Sequence, residues 1–529
     1  MASAVQRFRR GAAARSRRRL PLSRKRNVLF LVGVACLAIL MGALVTNQVP
    51  IPLVSSLPPV ALVAVVLVVA AIPLLITQWR LTLFVLLAWF MVEDLVRKFA
   101  GNNLAAYAVK DVIYVVLIIG LFADPEVRGK FREVTGRARI ALYVLILWAA
   151  ILMVPTLFQD WRLPIVAFRL DFAYVPLVLV GAMVARDQKG LYSVLAWIAI
   201  LGAGASMLGI IQAVVGPAFL APETITPGLD NLVTIRAVSG GGEVFRPSGP
   251  FVDPGRYGQV ASATMVAGLA ASLLKRGRRR IPALAAAGIC AAGVWVSAGR
   301  SPLLVAMALI LLAAIAPAWS EHRPGFTRMV PLAVVGMIVV VTLSVLYPLL
   351  LPSRATYYTS TLDPRSTRSE WSRRWSDYTE DTLEGIANGG LLGRGTGEES
   401  LGRQYLLGGA NASAAGLYQV EAGYGAVAAE WGVIGLILWI TWMVMWFARG
   451  WRSVRSSRGG QIGAMALVLY AWTFVLLGFQ FFAGMQVFQN YLINAYFWLF
   501  SGVVFAAPAL VRSLASEQVE DPEPPALVS

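Results

Sequence analysis

The chain has 529 residues, of which 58% are apolar and only 14% charged, at a mean hydropathy of +0.68. A soluble protein carries nearer a quarter charged residues, so a string of soluble domains is excluded. The composition predicts an all-α, polytopic bundle of membrane helices. The formal net charge of +18 does not point to nucleic acid, because the basic residues gather in short loops between apolar runs, as positive-inside loops do.

Residues 1–27 read as a basic cytoplasmic tail, with Arg7, Arg9, Arg10, Arg15 and Arg17 among its cations. An apolar run starts at Val28. No small-residue cleavage site follows it, which favours an uncleaved first span over a signal peptide. A spanning helix takes about 20 residues at 1.5 Å each. About fourteen spans follow from that rule: 28–46, 59–78, 81–97, 107–123, 139–158, 170–185, 190–214, 257–274, 281–298, 302–319, 329–350, 425–448, 462–481 and 490–512. The bundle thus occupies 28–350 and 425–514. With the N-terminus inside, the clusters Lys275–Arg280 and Arg449–Arg458 fall on the cytoplasmic side, together with the C-terminus. Parity places residues 215–256 and 351–424 outside. The tail 515–529 is rich in proline and acid and is expected to be disordered. Cys36 and Cys290 lie in apolar runs and suit packing, and His322 is the only histidine, so neither a disulfide framework nor a zinc site is expected.

The segment 351–424 is the longest water-compatible stretch and is expected to be an extracytoplasmic loop domain. Asp363 can cap a helix in it, Pro364 suits its first position, and Asn388-Gly389-Gly390 can stop it. Trp371, Trp375 and Tyr378 then recur on one face, near Arg368, Arg373 and Arg374. Such a helix fits first a place on the lipid headgroups, and second a surface for sugar rings and anionic groups.

Chemistry in such a chain must sit where polar groups persist. FRPSGPFVDPGRYG at 245–258 puts Arg246, Asp253 and Arg256 at the start of a span, in an irregular turn whose N–H groups could meet an anion. VSAGRSP at 296–302 puts Arg300 on the outer side, against the positive-inside bias; a local anion or a snorkelling arginine explains it. GLLGRGTGEES at 390–400 is glycine-rich but matches no phosphate-binding fingerprint. In EAGYGAVAAEWGVIG, Glu421 at the outer edge is the better general-base candidate, and Glu430 suits a structural role. Arg169 and Asp171 sit at the outer end of another span, as a local pair or a substrate contact.

Taken together, residues 205–440 resemble the O-antigen ligase and polymerase superfamily of bacterial membrane glycosyltransferases. GIIQAVVG at 209–216 looks like that family's Gly-x-x-Gln span ending. FRPSGPFVDPGRYG looks like its Arg-x-x-Gly-x-Phe-x-x-Pro stretch, and SAGRSPLL like its Ser-Arg turn. GLLGRGTG is similar to its Pro-Leu-x-Gly-x-Gly segment. EAGYGAVAAEWGVIG is similar to its closing element, with Glu421 and Ala422 where the ligases keep histidine and asparagine, and with Tyr424 retained. The resemblance implies a polyprenyl-(pyro)phosphate glycan donor, a glycan or lipid acceptor, no metal or cofactor, and the bacterial inner membrane. It implies an inverting transfer in which Glu421 is the base and Arg300 and Arg256 hold the leaving phosphate. Arg246, Arg169, Asp253, Tyr424, Arg368, Arg373, Arg374, Trp371 and Trp375 would contact substrate. The missing histidine favours a polymerase over a ligase. A lipid-linked oligosaccharide flippase is the alternative. The shape, elongation, division and sporulation glycosyltransferases share a large outward loop but not these motifs, and a non-catalytic scaffold would leave the outward arginines without a role.

Overall fold

Among the described residues, the apolar runs bounded by glycine, proline and charge form helices. The computed structural model of the chain describes residues 75–99, 104–127, 129–220, 235–238, 242–320, 357–358, 364–400, 420–484 and 486–520. The expected tail 1–27, the spans 28–46 and 329–350, most of 59–78, and Asp363 lie outside these residues. The chain divides into two units, Met1–Leu86 with Val109–Pro125, and Leu87–Ala108 with Glu126–Ser529. The first contributes part of α1 (Trp79–Phe99) and most of α2 (Leu104–Ala123).

In the second unit the chain runs through α3 (Lys130–Thr135), α4 (Ala138–Ile151), α5 (Met153–Leu157), α6 (Arg162–Phe172), α7 (Leu177–Val184) and α8 (Gln188–Val215). After these come α9 (Pro254–Leu273), α10 (Ile281–Val296), α11 (Arg300–Ser320) and α12 (Pro364–Gly389). The last three are α13 (Gly423–Ser456), α14 (Gln461–Val475) and α15 (Tyr491–Glu520). Eight helical segments among the described residues are long and apolar enough to cross a membrane. The protein is a helical, multi-pass membrane protein by that measure. Three details depart from expectation. The runs 81–97 and 257–274, expected as spans, form helices that are not among those eight. A short antiparallel hairpin, β1 (Ile235–Val238) and β2 (Gly242–Phe245), pairs Ile235 with Phe245 in an otherwise helical chain. The final helix also continues to Glu520, past the expected start of a disordered tail.

At the centre of this unit lies α9. Its N-terminus is written plainly: Asp253 Oδ1 and Oδ2 accept from Gly255 N at 3.1 Å and Arg256 N at 2.9 Å, and Pro254 takes the first position. Every residue from Val260 to Leu273 is buried, and most are Ala, Gly, Ser, Thr or Val. Small side chains let neighbouring backbones approach, which is how membrane helices gain packing when lipid is as apolar as they are. A methyl group added at Gly202 of α8 would lie 2.1 Å from Thr264 Oγ1 of α9. Helices α8, α9 and α10 therefore pack mutually and tightly. Elsewhere the indoles of Trp439, Trp442 and Trp446 on α13 stack towards Trp498 and Phe505 on α15.

Candidate functional site

A cavity of about 890 Å³ opens at the end of the unit where α9, α11 and α13 begin. Its polar lining includes Arg246, Arg300, Arg374, Glu421, Gln259 and Gln480. Leu304, Val305 and Ala308 of α11 face Val475, Phe479 and Val487 across its apolar remainder. Three guanidinium groups, one carboxylate and a greasy wall thus share one hollow.

Arg300 follows a turn held under strain, and Arg246 is hydrogen-bonded to it. Ala298 adopts φ 51°, left-handed and fully buried, in the short link between α10 and α11. That conformation costs an L-residue on the order of 1 kcal/mol and persists only where its surroundings impose it. Ser297 imposes it here: its Oγ donates to Val294 O at 2.6 Å and accepts from Gly299 N at 3.2 Å. Arg246 Nε donates to Ser297 O at 3.4 Å, and the Arg300 guanidinium lies 4.6 Å from the Tyr357 ring centroid. The loop after β2 is thereby tied to the turn before α11, and both arginines reach the cavity from a rigid frame.

Arg256 is placed differently. Its guanidinium is ion-paired with Asp94 of α1 and lies 5.2 Å from the Tyr491 ring, and it does not line the cavity. Asp94 also takes Arg97 Nη1 at 3.1 Å and is completely buried. Lys98 Nζ donates to Ser248 Oγ at 2.9 Å and Gly249 O at 2.8 Å, while Gln212 Oε1 accepts from Gly249 N at 2.7 Å. The stretch 245–258 is therefore a heavily anchored structural joint. The N–H groups at its helix start, expected to be open to an anion, are satisfied by the Asp253 cap.

The opposite wall is α12, stopped at Gly390 (φ 56°) as the sequence predicts. Trp375 and Tyr378 project from it into the cavity, with their rings 5.1 and 6.0 Å from Phe482. Arg374 Nη1 bonds Tyr378 Oη at 3.2 Å. The stripe expected to suit either headgroups or substrate faces the cavity at these positions. Arg373 is exposed and outside the cavity lining, and the side chains of Arg368 and Trp371 lie outside the described residues. Glu421 is exposed, just before α13, and its backbone N–H donates to Asp381 Oδ2 of α12 at 3.2 Å. Tyr424 turns its ring to the cavity while its hydroxyl donates to Leu477 O at 2.9 Å. Leu477 belongs to a π-helical turn, Leu476–Gln480, whose Gln480 Nε2 donates to Ser301 Oγ at 3.4 Å. Gln259, Gln480 and Ser301 are not among the sequence candidates; Ser301 stands beside Arg300 in VSAGRSP, and no local pattern singles out the two glutamines.

Glu421 and Glu430 do not share one continuous helix. Glu421 precedes α13, and α13 is broken at Gly432 (φ 70°, ψ −177°). The segment GLLGRGTG fills the break. Gly390 O and Leu391 O accept from Val433 N at 3.0 Å and Ile434 N at 3.3 Å, while Ala429 O and Glu430 O accept from Arg394 N at 2.9 Å and Gly395 N at 3.0 Å. Backbone groups freed by the break are thus satisfied by protein, as irregular structure at membrane depth requires. Glu430 Oε1 accepts from Glu399 N at 3.0 Å, and the carboxyl is fully buried, consistent with its expected structural role. Asp171 is also buried and accepts from Gln489 Nε2 at 3.1 Å rather than forming a local pair with Arg169. Both residues fall inside the candidate span Arg162–Val184, not at its outer end, and neither lines the cavity. Cys290 is buried, within reach of Thr264 Oγ1 at 3.4 Å, as a packing residue should be.

Compared with protein-family models and with curated proteins, the chain matches none. The likeness to the ligase and polymerase superfamily rests on its motifs.

Proposed function

We propose that the protein is a membrane glycosyltransferase that moves glycan from a polyprenyl-(pyro)phosphate donor to an acceptor hydroxyl at the outer face of the membrane. What supports this is the meeting of Arg246, Arg300, Arg374 and Glu421 in a single cavity whose remaining wall is apolar. A lipid-linked phosphate has that same division of character. Its chain would lie against Leu304, Val305 and Phe479, and its phosphate among the guanidinium groups, whose planar forks suit phosphate oxygens. Glu421 takes the proton of the acceptor hydroxyl, and that oxygen attacks the anomeric carbon. The bond from this carbon to the phosphate oxygen breaks, and the charge left on the phosphate grows where Arg300, Arg246 and Arg374 stand. Trp375, backed by Phe482, offers a flat apolar face to a sugar ring. Arg256 acts on the frame, through Asp94, instead of on the phosphate.

The experiment is reconstitution of the purified full chain with a labelled polyprenyl-diphosphate oligosaccharide and an acceptor glycan. Longer or transferred glycan is expected. Glu421→Gln should cut the rate roughly 10²–10⁴-fold, the usual contribution of a general base. Arg300→Ala should cut it about 10²-fold or more. Full activity in Glu421→Gln would overturn the assignment of the base. A flippase remains the second reading, favoured by one observation: a broken helix with a buried carboxylate at its joint is a device of transporters. Donor that crosses the bilayer in proteoliposomes without any new glycosidic bond would decide for it.

A further inference from the structure

A second hollow, of about 550 Å³, lies at the other end of α9, beside the start of α8. The first turn of α9 (Pro254, Gly255, Gly258) lines the large cavity, and Leu274, just past its last turn, lines the second hollow. The 20 residues of α9 separate the two by roughly 30 Å, the thickness of a hydrocarbon core. Two candidate spans, Gln188–Val215 and Gly277–Val296, both begin at this hollow, so it sits at headgroup level. Its lining is Gln188, Lys189, Leu274, Lys275, Arg276, Arg278 and Arg279, which is five cations and no carboxylate. Asp187, the nearest acid in sequence, is turned to its own helix and accepts from Gly190 N at 2.5 Å.

From this we infer that the hollow binds the phosphate headgroup of an anionic phospholipid from the leaflet opposite the large cavity. Scattered positive-inside charge would satisfy topology without lining a common hollow, whereas these five side chains line one. The N-terminus of the 28-residue α8 adds positive potential there. Lys275 Nζ lies 4.3 Å from the ring of Tyr192, a cation held over an aromatic side chain at the interface. Ile281, 56% exposed just beside the arginines, offers an apolar surface to the acyl chains. A headgroup phosphate would relieve the mutual repulsion of the cations, and its lipid tail would run along α10.

The test uses the full-length protein purified in mild detergent and examined by native mass spectrometry and thermal unfolding. Phosphatidylglycerol is expected to stay bound and to raise the melting temperature, where phosphatidylcholine does not. Arg276→Gln/Arg278→Gln/Arg279→Gln should weaken phosphatidylglycerol retention about tenfold or more, and the matching triple Lys variant should keep most of it. If the triple Gln variant does not fold, Lys189→Gln/Lys275→Gln should show a smaller loss in the same direction. Equal retention of phosphatidylglycerol by wild type and by whichever Gln variant folds would overturn the inference. So would equal stabilisation by millimolar inorganic phosphate, which would assign the hollow to a soluble anion.

Discussion

Arg256 and Arg300 look alike in the sequence, each an arginine beside a glycine near a span, yet they do different work. Arg300 borders open space, while Arg256 is spent on Asp94, which lies 162 positions away. Removing one partner of a buried ion pair leaves an uncompensated charge and costs about 3–5 kcal/mol. Arg256→Gln is therefore expected to lower the melting temperature sharply, as is Asp94→Asn. The double variant should recover only part of the loss, because Arg97 then lacks the Asp94 carboxylate. Thermal unfolding of the purified variants measures this. An Arg256→Gln protein that melts normally but transfers no glycan would return Arg256 to the chemistry. Asp253, expected from the sequence to contact substrate, instead caps α9 and stays out of the cavity lining, a role that Asp-Pro-Gly at 253–255 carries locally. The pairing of Arg256 with Asp94 was not legible, because ion pairs over such a distance leave no local pattern. Glu421 and Arg246 could be found because polar residues at the ends of apolar runs are few, and each needs water, a partner or a substrate.

Helix α13 shows where periodicity stops informing. Residues 425–448 have the hydropathy of one uninterrupted span, and nothing in their spacing marks the turn at Gly432. The break is decided by another segment, 390–397, which resembled a phosphate-binding loop only in being glycine-rich. Its glycines serve close backbone contact: a Cβ at Gly393 (φ 89°) would lie 2.3 Å from Glu430 O, and one at Gly432 (φ 70°) 2.3 Å from Leu391 O. Gly390 (φ 56°) has nothing within 4 Å of that position. Alanine at Gly390 should thus cost only the conformational penalty, about 1 kcal/mol. Alanine at Gly393 or Gly432 should cost that plus a backbone clash, several kcal/mol or failure to fold. Expression level and unfolding temperature of the three variants check this, and equal effects would mean that the joint yields. The hairpin 235–245 escaped notice for a related reason. Four-residue strands are too short for alternation to stand out beside helical runs.

Helix ends alternate consistently through the second unit. Helices α9, α11 and α13 start at the large cavity, whereas α8 and α10 start at the basic hollow, and α10 ends at the cavity. Arg458 at the end of α13 donates to Trp319 O near the end of α11 at 2.9 Å, so those two termini also meet at one level. That end carries Arg449, Arg452, Arg455 and Arg458, and the hollow carries five more cations. The cavity end balances its arginines with Asp377, Glu380, Asp381, Glu384 and Glu421. Short loops rich in lysine and arginine tend to stay in the cytoplasm, so the expected topology has the cavity outside and the basic ends inside. Ser376 on α12 and Ser456 at the end of α13 are both exposed, one at each end. In a background with Cys36 and Cys290 replaced, a membrane-impermeant maleimide should label Ser376→Cys in intact cells. Ser456→Cys should react only after the membrane is opened. The reverse pattern would place Glu421 and its arginines in the cytoplasm, where a donor displayed on the outer leaflet could not reach them.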